Sequence, residues 1–240
     1  MHRSAPRLTR ILACAAVPVM LVVAGCSSDS GSEDKASGSA ASTGSAPDAK
    51  QSVANVEPAK FAKLPEPCKA ITSKTIEELV PKVKNKAGTA GTSSDTGARG
   101  GCSWNGLEDK GVKGSNYRWL DVSFLRYESE SGLGSGEKRA QEAYAKEVAK
   151  TEATDGAKGV KKSSTPGVGD EATAISYDLK KTDETFKYAT IVARTGNVVV
   201  TLGYNGAGYA GAKTPDAAEL MKDAVKAAKE AAASVATANK

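Results

Sequence analysis

Two alternating apolar runs, Phe186–Thr195 and Val198–Tyr204, are separated only by Gly196-Asn197, and no other stretch restricts the fold as tightly. A two-residue connection with glycine first predicts a tight antiparallel hairpin, because glycine reaches the positive φ that the turn demands. Pairing outward from the turn sets Ala193 opposite Val200, Ile191 opposite Leu202 and Ala189 opposite Tyr204. All six then share one face, which is the pattern of a hairpin half-buried against a core.

Other segments supply the partners such a hairpin needs. Tyr117 to Tyr127 reads as a strand, with Leu120, Val122 and Phe124 on one face and Trp119, Ser123 and Leu125 on the other. Both faces are partly apolar, so this strand is expected inside a sheet. Ile175, Tyr177 and Leu179 alternate in a further strand, and Cys102-Ser103-Trp104 begins a short one. Helices are expected from Thr72 or Ser73 to Pro81, from Glu137 to Lys150, and after a Thr214 cap with Pro215 in the first turn. In the last of these, Ala217, Leu220, Met221, Ala224, Val225, Ala228, Ala231, Ala232 and Val235 trace one stripe at three and four spacing. Residues 85–101, 128–136 and 151–166 read as loops or irregular chain. The expectation is a single α+β domain, an antiparallel sheet packed against flanking helices and closed by a long C-terminal helix.

The first sixty residues do not belong to that domain. Arg3, Arg7 and Arg10 precede an apolar run from Ile11 to Val23, the composition of an export signal. The run is shorter than the ~20 residues a comfortable membrane span requires. It ends in Leu21-Val22-Val23-Ala24-Gly25-Cys26, which resembles the bacterial lipobox, where lipid is attached to the cysteine sulfur and the signal is cut just before it. Cys26 is thus the expected lipidation site and first residue of the mature chain; the competing interpretation is an ordinary secretory signal with an incidental cysteine. Two acyl chains, palmitate among them, would anchor the protein to the membrane with its folded part on the extracytoplasmic side. Residues 27–52 hold no aliphatic side chain larger than alanine and no aromatic. Such a segment buries too little apolar surface to offset the entropy of ordering. The divisions expected are 1–25 signal, 26–60 lipidated cysteine and linker with a reach of roughly 30–35 Å, and 61–240 folded domain.

Loss of residues 1–25 removes three arginines and no acid, so 33 basic side chains fall to 30 against 28 acidic, a net charge of +2. No concentrated basic face supports nucleic-acid binding. Cys14 leaves with the signal and Cys26 takes the lipid, which leaves Cys68 and Cys102. An oxidising compartment favours a disulfide between them, the alternative being a thiol nucleophile with a metal or resolving partner.

Pro67-Cys68 before a capped helix, Cys102-Ser103-Trp104, Gly167-Val168-Gly169-Asp170-Glu171-Ala172 and the hairpin before a closing helix together resemble an actinobacterial family of cell-envelope lipoproteins of unknown function, itself similar to extracellular sensor-type domains. The resemblance spans roughly 65 to 205. It implies a Cys68–Cys102 disulfide, a sheet with flanking helices and an envelope location, and it implies no activity.

The residues also narrow the chemistry. His2 is the one histidine and departs with the signal, so no Ser/His/Asp or Cys/His apparatus and no common zinc site is available to the mature chain. Ser135 and Lys138 have S-x-x-K spacing without the companion motifs, and a helix-capping serine explains them. Gly167 to Ala172 reads G-x-G-x-x-A, yet no strand precedes it and no helix follows, so turn glycines explain it better than a dinucleotide fingerprint. Asp170 and Glu171 fall short of the six to eight oxygens of a calcium site. No catalytic residue, metal or cofactor is therefore assigned. Recognition of an envelope protein or small ligand remains, with Trp119, Tyr204 and Tyr209 as candidate contacts; the two tyrosines are read as flanking a Gly-rich loop between the hairpin and the last helix. A carboxylate-dependent glycan-processing enzyme and a purely structural envelope protein are the alternatives.

Overall fold

The computed structural model describes residues 56–240. The signal, Cys26 and residues 27–52 lie outside the described residues. Among the described residues seven strands form one fully antiparallel sheet: β1 (Thr89–Ala90), β2 (Arg99–Asp109), β3 (Ser115–Arg126), β4 (Lys158–Ser164), β5 (Glu171–Lys181), β6 (Glu184–Thr195) and β7 (Val198–Tyr209). Their order across the sheet is β1-β2-β3-β7-β6-β5-β4. Three α-helices among the described residues accompany them, α1 (Ser73–Leu79), α2 (Gly136–Glu152) and α3 (Ala217–Ala238), so the domain is α+β with a long C-terminal helix. Among the described residues no helix is long and apolar enough to cross a membrane.

The hairpin has the register its sequence dictates, with Ala193 opposite Val200, Ile191 opposite Leu202 and Ala189 opposite Tyr204. Gly196 takes φ +54°, and Asn197 beside it is fully buried. The Asn197 carboxamide accepts from the Phe61 N–H at 2.8 Å and donates to Phe61 O at 2.9 Å and Tyr127 O at 2.8 Å. One turn side chain thus fastens the entry segment and the end of β3 to the hairpin. Aggregate burial of three such hydrogen bonds leaves no amide atom unpaired in the interior.

Because side chains alternate along a strand, the sheet has two distinct faces. The first carries Trp104, Leu120, Val122, Phe124, Ile191, Val200 and Leu202, all buried, under the Ala/Val/Leu stripe of α3 and under Ile76 and Leu79 of α1. The second carries Val192 and Val199 beneath α2, which adds Ala140 with Tyr144 and Val148. A hydrogen bond of 2.6 Å between Tyr144 Oη and Thr173 Oγ1 ties α2 to β5. The smaller second cluster covers only part of that face.

Each helix is capped by a side-chain oxygen. Thr72 Oγ1 accepts from the Thr75 N–H, and Ser135 Oγ from the Lys138 N–H, which is the structural role of the S-x-x-K serine. For α3 the cap is Asp216 rather than Thr214: its Oδ1 accepts from both the Ala218 and Glu219 N–H groups. A carboxylate there also meets the positive end of the helix dipole, so the helix starts after Pro215 instead of at it.

The disulfide joins Cys68 and Cys102, with an S–S distance of 2.06 Å and Cα atoms 5.1 Å apart. It holds the 3₁₀ turn at Pro67–Lys69 to β2. Three further sequence expectations need correction. Residues 158–164, read as irregular, form edge strand β4, exposed throughout and with a register shift between Lys158 and Lys161; its lysines mask the pattern but suit a solvated edge. The strand around Cys102 is long, spanning Arg99–Asp109, because β3 pairs with it along its whole length. Finally, Tyr204–Tyr209 is no loop, as the site below makes plain.

Candidate functional site

Strand β7 runs on through Tyr209, paired with β3 on one side over its full length and with β6 on the other up to Gly206. Glycine is a poor strand former, but here it is required by close approach. A Cβ on Gly206 would stand 2.7 Å from Tyr117 O, and one on Gly208 would stand 2.3 Å from Ala212 O. Ladder pairing, with both neighbours up to Gly206 and with β3 alone beyond it, overrides the local preference for a loop.

That continuation separates the two tyrosines. Tyr204 lies on the first face, 3% exposed, and its hydroxyl donates to Leu79 O at 2.5 Å; it is a core residue bracing α1. Burial pushes its phenol up to about 12. Tyr209, five residues on, falls on the second face, where Trp119 also lies. The structure therefore brings Trp119 and Tyr209 into one cavity and excludes Tyr204 from it.

The cavity is a trough of about 620 Å³ on the part of the second face that α2 leaves uncovered. Its walls are aromatic. Tyr117, Phe186 and Tyr209 meet edge to face, with ring centroids 6.0–6.3 Å apart. Tyr188 stacks on Tyr177 at 4.9 Å with planes 6° apart. Lys181 lies at the rim with its Nζ 5.6 Å from the Phe186 ring centre and 5.3 Å from that of Tyr188.

Polar groups converge on the floor. Asp121 accepts from the Trp119 indole N–H at 2.9 Å through Oδ1. Burial raises its carboxyl to about 6, the Trp119 hydrogen bond opposing that rise. Its register partner on β7 is Gly203, and a Cβ there would stand 2.6 Å from Oδ1. The missing side chain is what lets the carboxylate lie across the sheet. Asn205, opposite Trp119 on β3 and Tyr188 on β6, is 8% exposed. It lines the trough and a smaller adjoining cavity of about 230 Å³. Among the described residues its carboxamide has no hydrogen-bond partner and Asp121 has no ion-pair partner.

Asp121 and Asn205 also border that adjoining cavity, together with Glu147 and Lys150 of α2. Glu147 and Lys150 pair with each other at 3.1 Å. A third cavity, about 400 Å³, continues along α2 past Glu147 and Thr201 toward Leu125 and Tyr127. The cavities share lining residues, so one groove runs from the aromatic end of the sheet to the flank of α2.

Asp121, Asn205, Tyr117, Phe186, Tyr188 and Lys181 are site residues that the sequence did not disclose. One signal was available: Tyr117, Trp119 and Asp121 stand at i, i+2 and i+4 of a strand, which sets an acid and two aromatics on one face. Elsewhere, Asp170 and Glu171 are engaged by Arg194 and by the Gly196 N–H, which gives the acidic pair of the Gly167–Ala172 segment a turn-fixing role. Gly169, at φ +61°, passes so close to Arg194 O that a Cβ would stand 2.4 Å from it. Among the described residues no group of three or more His, Cys, Asp or Glu is placed to hold a metal ion.

No protein-family model and no curated protein matches the chain. Among solved structures it is similar to LpqN of Mycobacterium tuberculosis, described as involved in cell envelope biogenesis, at 15% identity and a TM-score of 0.29 over 60% of this chain and 82% of that one.

Proposed function

We propose that the protein is a membrane-anchored extracytoplasmic lipoprotein, held by lipid on Cys26, whose folded domain binds a ligand in the aromatic trough. The anchoring half rests on the Leu21–Cys26 pattern, the polar segment at 27–52 and a disulfide suited to an oxidising compartment. The binding half is carried by one observation: Asn205 is more than nine-tenths buried, without a protein partner, and opens into an aromatic-walled cavity. Its amide atoms are not sealed from solvent, so they are free to exchange water for the polar groups of a ligand in the cavity. A concave, largely apolar site of several hundred Å³ with a few convergent polar groups is the usual form of a ligand pocket. It also counts against a purely structural role.

The test is a fragment library titrated into the purified chain and followed by amide and indole NMR shifts. Responses are expected to gather on Trp119, Asp121 and Asn205; a library that leaves these signals unmoved sinks the binding assignment. Intact mass of the protein from its native membrane tests the anchor, with Cys26 expected to carry diacylglycerol.

A second reading, a carboxylate-dependent glycan-processing enzyme, is favoured by Asp121 and Glu147 lining the same cavity. Such an enzyme needs one carboxyl kept protonated as acid, and the raised Asp121 carboxyl suits that role. Release of reducing sugar from peptidoglycan or arabinogalactan, abolished in Asp121→Asn, would establish it; no release from either substrate removes it.

A further inference from the structure

Building on the ligand-binding reading, we propose that the trough is a saccharide site, taking an uncharged sugar ring between its aromatic walls with the ring hydroxyls on Asp121 and Asn205. Two features select that class. Aromatic rings on β3, β6 and β7 offer flat apolar surface of the size that the C–H face of a pyranose covers. The polar groups are mixed in kind, a carboxylate that can only accept when ionised, a carboxamide that both donates and accepts, and the Lys181 ammonium that only donates. Vicinal hydroxyls, each donor and acceptor together, satisfy such a set. A flat hydrocarbon would leave the Asn205 amide without a partner.

Charge argues in the same direction. Lys181 already lies near the Phe186 and Tyr188 rings, so an organic cation would meet a like charge where its cation–π contact should form. An anion would meet Asp121. The two opposite charges in one cavity leave a neutral, hydroxyl-rich ligand as the best match, and the Trp119 indole keeps the carboxylate aimed by holding Oδ1. Oδ2 is then the free acceptor.

The experiment is an NMR and tryptophan-fluorescence titration of the purified chain with maltotriose, cellotriose and triacetylchitotriose in one arm, and choline in the other. At least one trisaccharide is expected to shift the Trp119 indole signal. Asp121→Asn and Asn205→Ala, each shown by its melting transition to be folded, are expected to weaken that response about tenfold, the loss of one hydrogen bond to a buried polar group. Should either variant fail to fold, Trp119→Phe, which keeps an aromatic wall and removes the indole donor, takes its place with the same expectation. Choline binding that Asp121→Asn removes, with no response to the trisaccharides, would overturn the saccharide assignment and leave the ligand site standing. Fragments that bind the trough while every trisaccharide fails would do the same. Silence of the trough toward fragments and sugars alike overturns both readings.

Discussion

Taking Asp121 out of water raises its carboxyl from 3.8 to about 6, since burial penalises the charged form more than the Trp119 hydrogen bond helps it. A carboxyl with its folded value above its unfolded one holds the proton more tightly when folded. Stability is thus full below pH 4, falls as pH rises through about 6 and stays lower beyond, by on the order of 2–3 kcal/mol. The other charged groups lining these cavities are Lys181 on β5, Arg99 on β2, and Lys146, Glu147 and Lys150 on α2, of which Glu147 and Lys150 pair with each other. Asp121→Asn is therefore expected to melt like the parent near pH 4 and several degrees higher at pH 7.5, read from thermal unfolding followed by circular dichroism. Equal melting shifts at both pH values would show that the carboxylate is not under strain from burial. Residues of this kind were the least legible. Trp119 is legible as a candidate contact, and it lines the trough. Asn197 was read as a turn residue, which it is, but its bonds to Phe61 and Tyr127 join positions 136 and 70 residues away and leave no trace in local pattern.

Among the elements, α3 shows how small side chains set geometry. Ala224, Ala227, Ala228, Ala231 and Ala232 are all buried against the first face. Alanines bring the helix backbone close to β6 and β7, and leave no room for a larger group. Ala228→Leu is expected to cost about 1–3 kcal/mol through overpacking, measured by urea denaturation, while Ala233→Leu on the exposed side should be close to neutral. Equal effects at the two positions would mean that the helix does not sit down on its alanine stripe. The hydrophobic period of this helix is readable at Leu220, Ala224, Ala228, Ala231, Ala232 and Val235, though Ala217 is exposed and Ala227 joins the buried stripe, and the register of the β6–β7 hairpin is readable pair by pair. Strand β4 and the far end of β7 were not readable, because a lysine-rich run and a glycine-rich run become strands only when a neighbour supplies the ladder.

Across the whole molecule, the disulfide joins positions 34 residues apart and clamps the 3₁₀ turn that leads into α1 to strand β2. Closing a loop of that length restricts the unfolded chain by about 3–4 kcal/mol in the entropy model. Guanidinium unfolding with and without reductant is expected to differ by that amount, and a Cys68→Ser/Cys102→Ser double variant should match the reduced protein. The single α+β fold, the long final helix and the interior place of β3 all follow from periodicity and turn chemistry, which act between residues near in sequence. Which side chains meet across β3, β7 and β6 follows instead from the pairing of distant strands and from where α2 stops covering the sheet. The sequence by itself therefore determined the helices, the β6–β7 hairpin and the strands with alternating apolar residues, and the tertiary structure alone decided β4, the far end of β7 and the fact that Trp119, Asp121, Asn205 and Tyr209 share a cavity while Tyr204 does not: a one-residue step along a strand changes face, and only the partner strands fix what each face meets.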